Sequence, residues 1–210
     1  KSGAGTGGSS SIPVGGVSVD RAAKTLGEQL KDIASHALEA STSDLEIADG
    51  AVRVAGTDRV ISFADLAAHP SASPEKLRAA EEFSVEPPTY PNGTHIAEIE
   101  VDPDTGSTSI LNYTVVDDFG ATLNPLLLAG QVHGGAVQGI GQALMESTVY
   151  DPATGQLLSA SFMDYALPHV DVFRGFETRF DESIPCTTNA LGAKGVGELG
   201  TIGGTPVVVN

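Results

Sequence analysis

The chain has 210 residues, enough for one large domain or two small domains with a buried core. Its net charge of −16 argues against a nucleic-acid partner, because phosphate binding requires clustered Lys and Arg. The 40 % hydrophobic content is typical of a globular protein, and no apolar run is long enough to span a membrane. Cys186 is the only cysteine, which excludes an internal disulfide and a thiolate-bound zinc or iron–sulfur site.

The N-terminal residues give information about the cellular compartment of the protein. Residues 1–8 lack the apolar segment of a secretory signal, and the sequence has no initiator Met. We therefore expect a fragment or processed piece of a cytoplasmic protein, with periplasmic export alongside a partner as the alternative.

A Gly/Ser-rich segment occupies residues 3–16. It is either a flexible linker or a loop whose backbone N–H groups and hydroxyls face an anion ahead of a helix. Apolar spacing after it predicts an amphipathic helix over residues 20–39, with Ser18 or Asp20 near its N-terminal cap. This helix favours the second interpretation. The apolar positions are Leu26, Leu30, Ile33 and Ala37.

The next residues predict small elements and then a boundary. Alternating apolar residues around Asp49-Gly50 predict a β-hairpin, and Ser62 and Ser73 each precede a short predicted helix. Prolines at 87, 88 and 91 then interrupt the pattern. We therefore divide the chain into a first α/β part, residues 1–88, and a second, residues 89–210.

The second part opens with a predicted hairpin. A strand over 96–101 and a return strand over 109–116 flank the turn Asp-Pro-Asp-Thr-Gly at 102–106. Asp117-Asp118 then reads as a solvated turn. A second turn of the same kind, Asp-Pro-Ala-Thr-Gly at 151–155, predicts another hairpin.

Between these turns, a helical pattern runs from Pro125 to Glu146, with Asn124 as its cap. Each glycine inside a helix costs about 1 kcal/mol relative to alanine. The five in this helix therefore predict tight packing against another backbone or a flat ligand. They are Gly130, Gly134, Gly135, Gly139 and Gly141.

Near the C-terminus, Glu198 lies in a glycine-rich stretch, residues 192–200. Glycine lets the backbone approach a ligand closely, at a cost of roughly 0.5–1 kcal/mol per residue. We therefore expect Glu198 to be a catalytic base beside a bound cofactor. The alternative is an acid that complements the dipole of a following helix.

Three segments together indicate a family. Residues 130–144 read GQVHGGAVQGIGQAL, residues 161–168 read SFMDYALP, and residues 192–198 read GAKGVGE. They resemble the G-Q-x-x-G-G-x-x-Q-G-I-G-x-A-L, S-F-x-D-Y-x-x-P and G-x-K-G-x-G-E motifs of the molybdenum hydroxylases. That family comprises xanthine dehydrogenases, aldehyde oxidoreductases and carbon monoxide dehydrogenases. Three motifs in the same order make chance agreement improbable.

The resemblance implies a mixed α+β fold, the molybdopterin-binding domain of the xanthine oxidase type, incomplete in this chain. It implies that Glu198 is the catalytic base and that Gln131 hydrogen-bonds the cofactor. Molybdenum would be held by the pterin dithiolene, so the chain supplies no metal ligand. The other residues that it places at the cofactor are Gly7, Gly8, Ser9, Ser11, Lys194, Gly195, Val196 and Gly197.

Several polar residues near these motifs have simpler interpretations. His133 is interpreted as packing or as a polar group close to the cofactor, and Asp164 and Tyr165 as residues that pin a turn. Lys194 could neutralise a cofactor phosphate or pair with an acid. Ser10 stands where many bacterial members have arginine.

The implied reaction is oxidation of an aldehyde or N-heterocycle with water as the oxygen donor and Glu198 as general base. Electrons would pass to iron–sulfur centres. The implied partners are a chain carrying the other half of the large subunit, a [2Fe–2S] subunit and an FAD subunit. The cofactor tail would be a cytosine dinucleotide, as in most bacterial members. The alternative is a non-catalytic cofactor-binding or assembly module.

Overall fold

The computed structural model describes residues 5–84 and 88–210, so Gly3, Ala4 and Pro87 lie outside the described residues. The chain folds into two compact units, one formed by residues 14–84 and one by residues 5–13 together with 88–210. Residues 5–13 of the Gly/Ser-rich opening therefore share a unit with Glu198. Helices and two small sheets confirm the mixed α+β class.

The smaller unit packs two helices on a three-stranded antiparallel sheet of order β1-β2-β3. Its core contains Leu30, Ile33, Leu45, Val52 and Leu66. The elements are α1 (Val17–Ala37), β1 (Leu45–Ala48), β2 (Ala51–Val54), β3 (Val60–Ser62) and α2 (Phe63–Ala68).

Helix α1 begins earlier than predicted. A π-helical segment, Ser11–Gly16, runs directly into it, so the predicted caps Ser18 and Asp20 are wrong. The Ser18 hydroxyl instead donates to the carbonyl of Val14 at 3.1 Å, within the helix. Continuous coiling from residue 11 leaves no free helix end at residue 18 for a side chain to cap.

In this unit the predicted hairpin and the predicted helix after Ser62 are confirmed. The hairpin forms around Asp49 and Gly50, both at positive φ, and the Ser62 hydroxyl caps α2 by accepting from Asp65 N. The helix predicted at Ser73 is wrong. Ser73 accepts two backbone N–H bonds, but they close a single turn that does not continue.

The larger unit is built on a sheet of order β4-β5-β6. The central strand β5 pairs antiparallel with β4, as predicted, and parallel with β6, which the sequence analysis missed. The elements are β4 (Asn92–Val101), β5 (Thr108–Asp118), α3 (Pro125–Leu144), β6 (Phe176–Phe180) and α4 (Leu199–Val209).

The two Asp-Pro-x-Thr-Gly turns form by the same chemistry. The Asp102 carboxylate accepts two backbone N–H bonds ahead of Gly106, and Asp151 does the same ahead of Gly155. Both glycines take the positive φ that closes the turn. The first turn joins β4 to β5. The second is flanked by one isolated bridge, Tyr150 to Leu157, and not by the strands of a predicted hairpin.

The core of this unit lies between β5 and α3. Tyr113 and Val115 of β5 pack with Val132, Ala136 and Ile140 of α3, and all five are fully buried. Helix α3 starts after Asn124, whose side chain accepts from Leu127 N at 3.1 Å, so the predicted cap is confirmed.

No helix among residues 5–84 and 88–210 combines the length and apolarity needed to cross a membrane.

The interpretation of Asp117-Asp118 as a solvated turn is wrong. Strand β5 continues through Asp118, and its alternation places Asp117 on the same face as Tyr113 and Val115. Asp117 is 0 % exposed.

Helices α3 and α4 meet backbone to backbone, as the glycines of α3 predicted. A Cβ at Gly204 would lie 2.7 Å from the Ala136 carbonyl oxygen, and one at Gly139 would lie 2.7 Å from the Thr201 carbonyl oxygen. The Thr201 hydroxyl donates across the contact to the Gly135 carbonyl at 3.0 Å. The prediction is wrong for Gly130 and Gly134 of α3, because a Cβ at either would meet no described atom within 4 Å.

We expect Gly139→Ala to destabilise the protein. Overpacking costs about 1–3 kcal/mol, more than the roughly 1 kcal/mol that alanine gains over glycine inside a helix. Gly134→Ala is the matched control and should leave stability unchanged or raise it. Thermal unfolding of both variants measures the difference, and equal midpoints would contradict the packing described here.

Candidate functional site

Glu198 precedes helix α4 and terminates the loop of residues 192–198. Its side chain is exposed. Gly195 and Gly197 supply no side chains that could cover it. Its place at a helix N-terminus is compatible with both earlier interpretations, since either a general base or a dipole-complementing acid can occupy it.

The N-terminal segment provides the hydrogen-bond partner of Glu198 within the described residues. Ser9 Oγ donates to Glu198 Oε2 at 2.6 Å, across 189 positions of sequence. The two segments also touch through backbone, because a Cβ at Gly195 would lie 2.5 Å from the Ser9 carbonyl oxygen. This packing excludes the linker interpretation for Ser9 and its neighbours.

The segment carrying Ser9 exposes its backbone. Gly8 and Ser9 both have φ of 55°, a conformation that is uncommon for any residue but glycine. A Cβ at Gly7 or Gly8 would meet no described atom within 4 Å. Ser11 Oγ donates to Thr6 Oγ1 at 3.2 Å and stays exposed. A ligand could therefore reach main-chain and hydroxyl groups directly.

The loop before Glu198 is tied to the chain that follows β5. Lys194 N donates to the Phe119 carbonyl and Ala121 N to the Gly192 carbonyl, both at 2.8 Å. Gly120 must be glycine here, because a Cβ would lie 2.1 Å from the Gly192 carbonyl oxygen. These bonds hold the loop against the end of the sheet.

Of the two roles predicted for Lys194, the structure shows the pairing with an acid. Lys194 Nζ lies 2.5 Å from Asp118 Oδ2, and its side chain is only 10 % exposed. The ammonium group is thus directed into the protein.

Gln131 lies on α3, exposed, at the same end of the helix pair as Glu198. Helices α3 and α4 run parallel, and a Cβ at Gly200 would lie 2.9 Å from the carbonyl oxygen of Val132. Gln131 immediately precedes Val132, and Glu198 lies two residues before Gly200. The helix contact therefore brings these two predicted site residues to one region.

Three polar residues of the motifs have structural contacts. His133 Nε2 lies 2.8 Å from Thr178 Oγ1 and its ring packs on Phe176, which fits the packing interpretation. Asp164 accepts from Ser161 Oγ at 3.0 Å, which confirms that it pins the turn. The Tyr165 hydroxyl instead donates to Glu146 Oε2 at 2.9 Å, just beyond α3, so the turn-pinning interpretation is wrong for its side chain.

Sequence reasoning missed a buried polar cluster beneath α4. His95 Nδ1 lies 2.7 Å from the Tyr113 hydroxyl, and His95 Nε2 lies 3.4 Å from Asp117 Oδ1. Neither Asp117 oxygen has a hydrogen-bond partner among the described residues. The His95 ring packs on Gly203 of α4, where a Cβ would lie 2.6 Å from ring atoms. The period-two alternation of β5 was the signal that could have placed Asp117 inside.

The residues of this region suit a ligand with many polar atoms. They offer a carboxylate, an amide, hydroxyls and exposed main-chain N–H groups. Within residues 5–84 and 88–210, no three His, Cys, Asp or Glu side chains lie close enough to bind a metal ion. The arrangement can accept a proton at Glu198 while backbone and hydroxyl groups hold a bound molecule beside it.

Comparison with known proteins identifies the family. Residues 1–173 match the molybdopterin cofactor-binding domain family. The large subunit of nicotine 6-hydroxylase from Paenarthrobacter nicotinovorans is 36 % identical, over 99 % of this chain and 26 % of its own length. Subunit gamma of the 6-hydroxypseudooxynicotine dehydrogenase complex from the same organism is 36 % identical, over 95 % of this chain and 26 % of its own length.

Among solved structures, quinoline 2-oxidoreductase from Pseudomonas putida 86 superimposes with a TM-score of 0.81 at 35 % identity. The match covers 99 % of this chain and 27 % of that one. This chain belongs to the molybdopterin cofactor-binding domain family of the molybdenum hydroxylases, and the predicted resemblance and fold type are confirmed. It spans about a quarter of the length of the relatives it matches.

The buried cluster predicts a pH dependence of stability. Burial, and secondarily the charge of Asp117, raise the pKa of Tyr113 above its ordinary value near 10. The folded chain then keeps a proton that the unfolded chain releases, so this stabilisation is present below pH 10 and lost as pH rises above it. In Tyr113→Phe, stability should fall less steeply with pH above 10, measured by denaturant unfolding at several alkaline pH values. An unchanged slope would contradict the prediction.

Proposed function

We propose that this chain is the cofactor-binding portion of a molybdenum hydroxylase that oxidises an aldehyde or N-heterocyclic substrate with water as oxygen donor. The observation that carries the proposal is the bond from Ser9 to Glu198. It joins two glycine-rich segments of accessible backbone around one exposed carboxylate, which is what a base beside a large cofactor requires.

The residues fit a molybdopterin. Gly7 and Gly8 leave open space where side chains would stand, so the pterin or phosphate groups can approach main-chain N–H groups. Ser11 of the same segment, Gln131 of α3, and Val196 and Gly197 of the loop before Glu198 would complete the contact. In the bound state the molybdenum cofactor would supply the redox chemistry of the oxidation. The cytosine dinucleotide tail belongs to this proposal.

Glu198 would act as general base. Ser9 Oγ binds Oε2, which orients the carboxylate and leaves Oε1 to accept a proton from the reacting group. Gln131 would donate its amide N–H to the cofactor. Lys194 contributes to the site through the loop that it anchors to Asp118.

The whole enzyme would need further chains. The relatives bear the names large subunit and subunit gamma of a complex, which supports a multi-subunit assembly. We propose that a chain or segment carrying the rest of the large subunit completes the cleft, with a [2Fe–2S] subunit and an FAD subunit as electron carriers. The net charge of −16 argues against a nucleic-acid partner, and we propose a small-molecule substrate and a cytoplasmic location. A non-catalytic assembly module is the second candidate, and the exposed, oriented Glu198 argues against it.

Glu198→Gln should abolish turnover while molybdenum stays bound. The amide keeps the shape of the side chain but cannot accept the proton, and general-base catalysis is worth about 10²–10⁴-fold. Steady-state kinetics with an aldehyde or N-heterocycle, alongside metal analysis, measure both effects. Glu46→Gln, an exposed change in the unit of residues 14–84, is the control. Turnover that persists in Glu198→Gln would remove this residue from the mechanism.

Metal analysis of the purified assembly should find about one molybdenum per copy of this chain. Removing the cofactor should abolish activity with every substrate, because the proposed oxidation depends on its redox chemistry. An assembly that turns over without molybdenum would contradict the proposed function.

A further inference from the structure

The adjacent acids Asp117 and Asp118 end the central strand of the sheet that supports Glu198. Successive residues of a strand point to opposite sides. Asp117 faces the core with Tyr113 and Val115, and Asp118 faces the loop that leads to Glu198. Two neighbouring carboxylates therefore reach two different parts of the polypeptide.

Asp118 holds the chain before Glu198. Its Oδ2 pairs with Lys194, four residues ahead of Glu198, and its Oδ1 accepts from Gly120 N at 2.7 Å. The side chains of the pair are 10 % and 19 % exposed, so solvent screens their attraction much less than at an open surface. Lys194 N also donates to the Phe119 carbonyl, which fixes the residue by both main chain and side chain.

Asp117 supports the chain after Glu198. Its Oδ1 lies 3.4 Å from His95 Nε2, close enough for electrostatic contact although the two atoms make no hydrogen bond. Tyr113 holds the other ring nitrogen, which fixes the ring plane. That ring is the surface on which Gly203 rests, five residues beyond Glu198.

We propose that Asp117 and Asp118 are positioning residues that hold Glu198 in place from its two sides. The inference rests on the proposed function, since it takes Glu198 as the base. Glu198 has few contacts of its own: its side chain is exposed, and Ser9 is its hydrogen-bond partner within the described residues. Its location is therefore set by the loop at Lys194 and by α4 at Gly203.

Neither acid needs to touch substrate or cofactor for this role. A displacement of about 1 Å in a catalytic group can cost about 10²-fold in rate. Residues that orient a site from behind commonly contribute about 10–100-fold. Loss of either support should lower kcat by a factor in that range.

The first test uses Asp118→Asn and Lys194→Gln in the assembled, molybdenum-loaded enzyme. We expect kcat to fall about 10–100-fold in each, with KM within about twofold and molybdenum content unchanged. The double variant should be no slower than the slower single variant, because both remove one interaction. Asp32→Asn, which breaks the exposed pair with Lys76 in the other unit, is the matched control and should leave kcat unchanged.

The second test measures position without turnover. Amide hydrogen exchange at Lys194 and Gly195 should speed up about tenfold or more in Asp118→Asn and stay unchanged in Asp32→Asn. Asp117→Asn should instead accelerate exchange at Ile202, whose N–H donates to the Glu198 carbonyl at 3.0 Å. If Asp117→Asn fails to assemble, Asp118→Asn still decides the role of Asp118, and exchange at Ile202 in His95→Gln tests the support beneath Gly203. Unchanged exchange at Ile202 would overturn that second support.

The outcomes separate this inference from the proposed function. Unchanged exchange together with unchanged kcat in Asp118→Asn would overturn the positioning role. A loss of kcat with unchanged exchange would also overturn it, because Asp118 would then act directly. If Glu198→Gln stays active while exchange accelerates in Asp118→Asn, the general-base proposal fails and the mechanical support by Asp118 stands.

Discussion

The architecture around Glu198 depends on one contact between backbones, where helices α3 and α4 approach each other through glycines. Gly139 of α3 and Gly200 and Gly204 of α4 leave no room for a Cβ. The approach lets threonine hydroxyls of α4 bond carbonyl groups of α3, at Gly135 and Gly139. Because α4 starts directly after Glu198, the closeness of the helices decides where the carboxylate stands. The glycines that weaken both helices as isolated elements are thus what makes the site possible.

The candidate site contains little side-chain structure of its own. Ser9 and Glu198 meet from opposite ends of the sequence, and the surfaces around them are mostly main chain. The position of Glu198 is fixed by contacts on the side away from the proposed ligand. These contacts are the pair between Lys194 and Asp118 and the packing of the His95 ring against α4. This division leaves the ligand-facing side open while the opposite side is held by charge, hydrogen bonds and packing. It also explains why an exposed residue can be well placed.

Features governed by neighbours in sequence could be predicted, and those governed by distant contacts could not. Asn124 as a cap and the turn beginning at Asp102 depend on a few adjacent backbone groups. The strand β6 was missed because its parallel pairing with β5 depends on residues far away in sequence. Asp117 was misread because two acids before Phe-Gly are typical of a turn, while the sheet register carries the first inside. For the candidate site, the glycine-rich stretch and the motif resemblance singled out Glu198, and only the structure revealed its bond to Ser9.

The backbone of Ser9 has a consequence for how this protein could vary. A left-handed conformation costs a serine roughly 1–2 kcal/mol that glycine would not incur. Glycine at position 9 would therefore stabilise the fold. The same change would remove the hydroxyl that orients Glu198. Folding and chemistry favour different residues at this one position. A substitution that raised thermal stability by removing backbone strain at position 9 would leave the Glu198 carboxylate without the hydrogen bond that orients it.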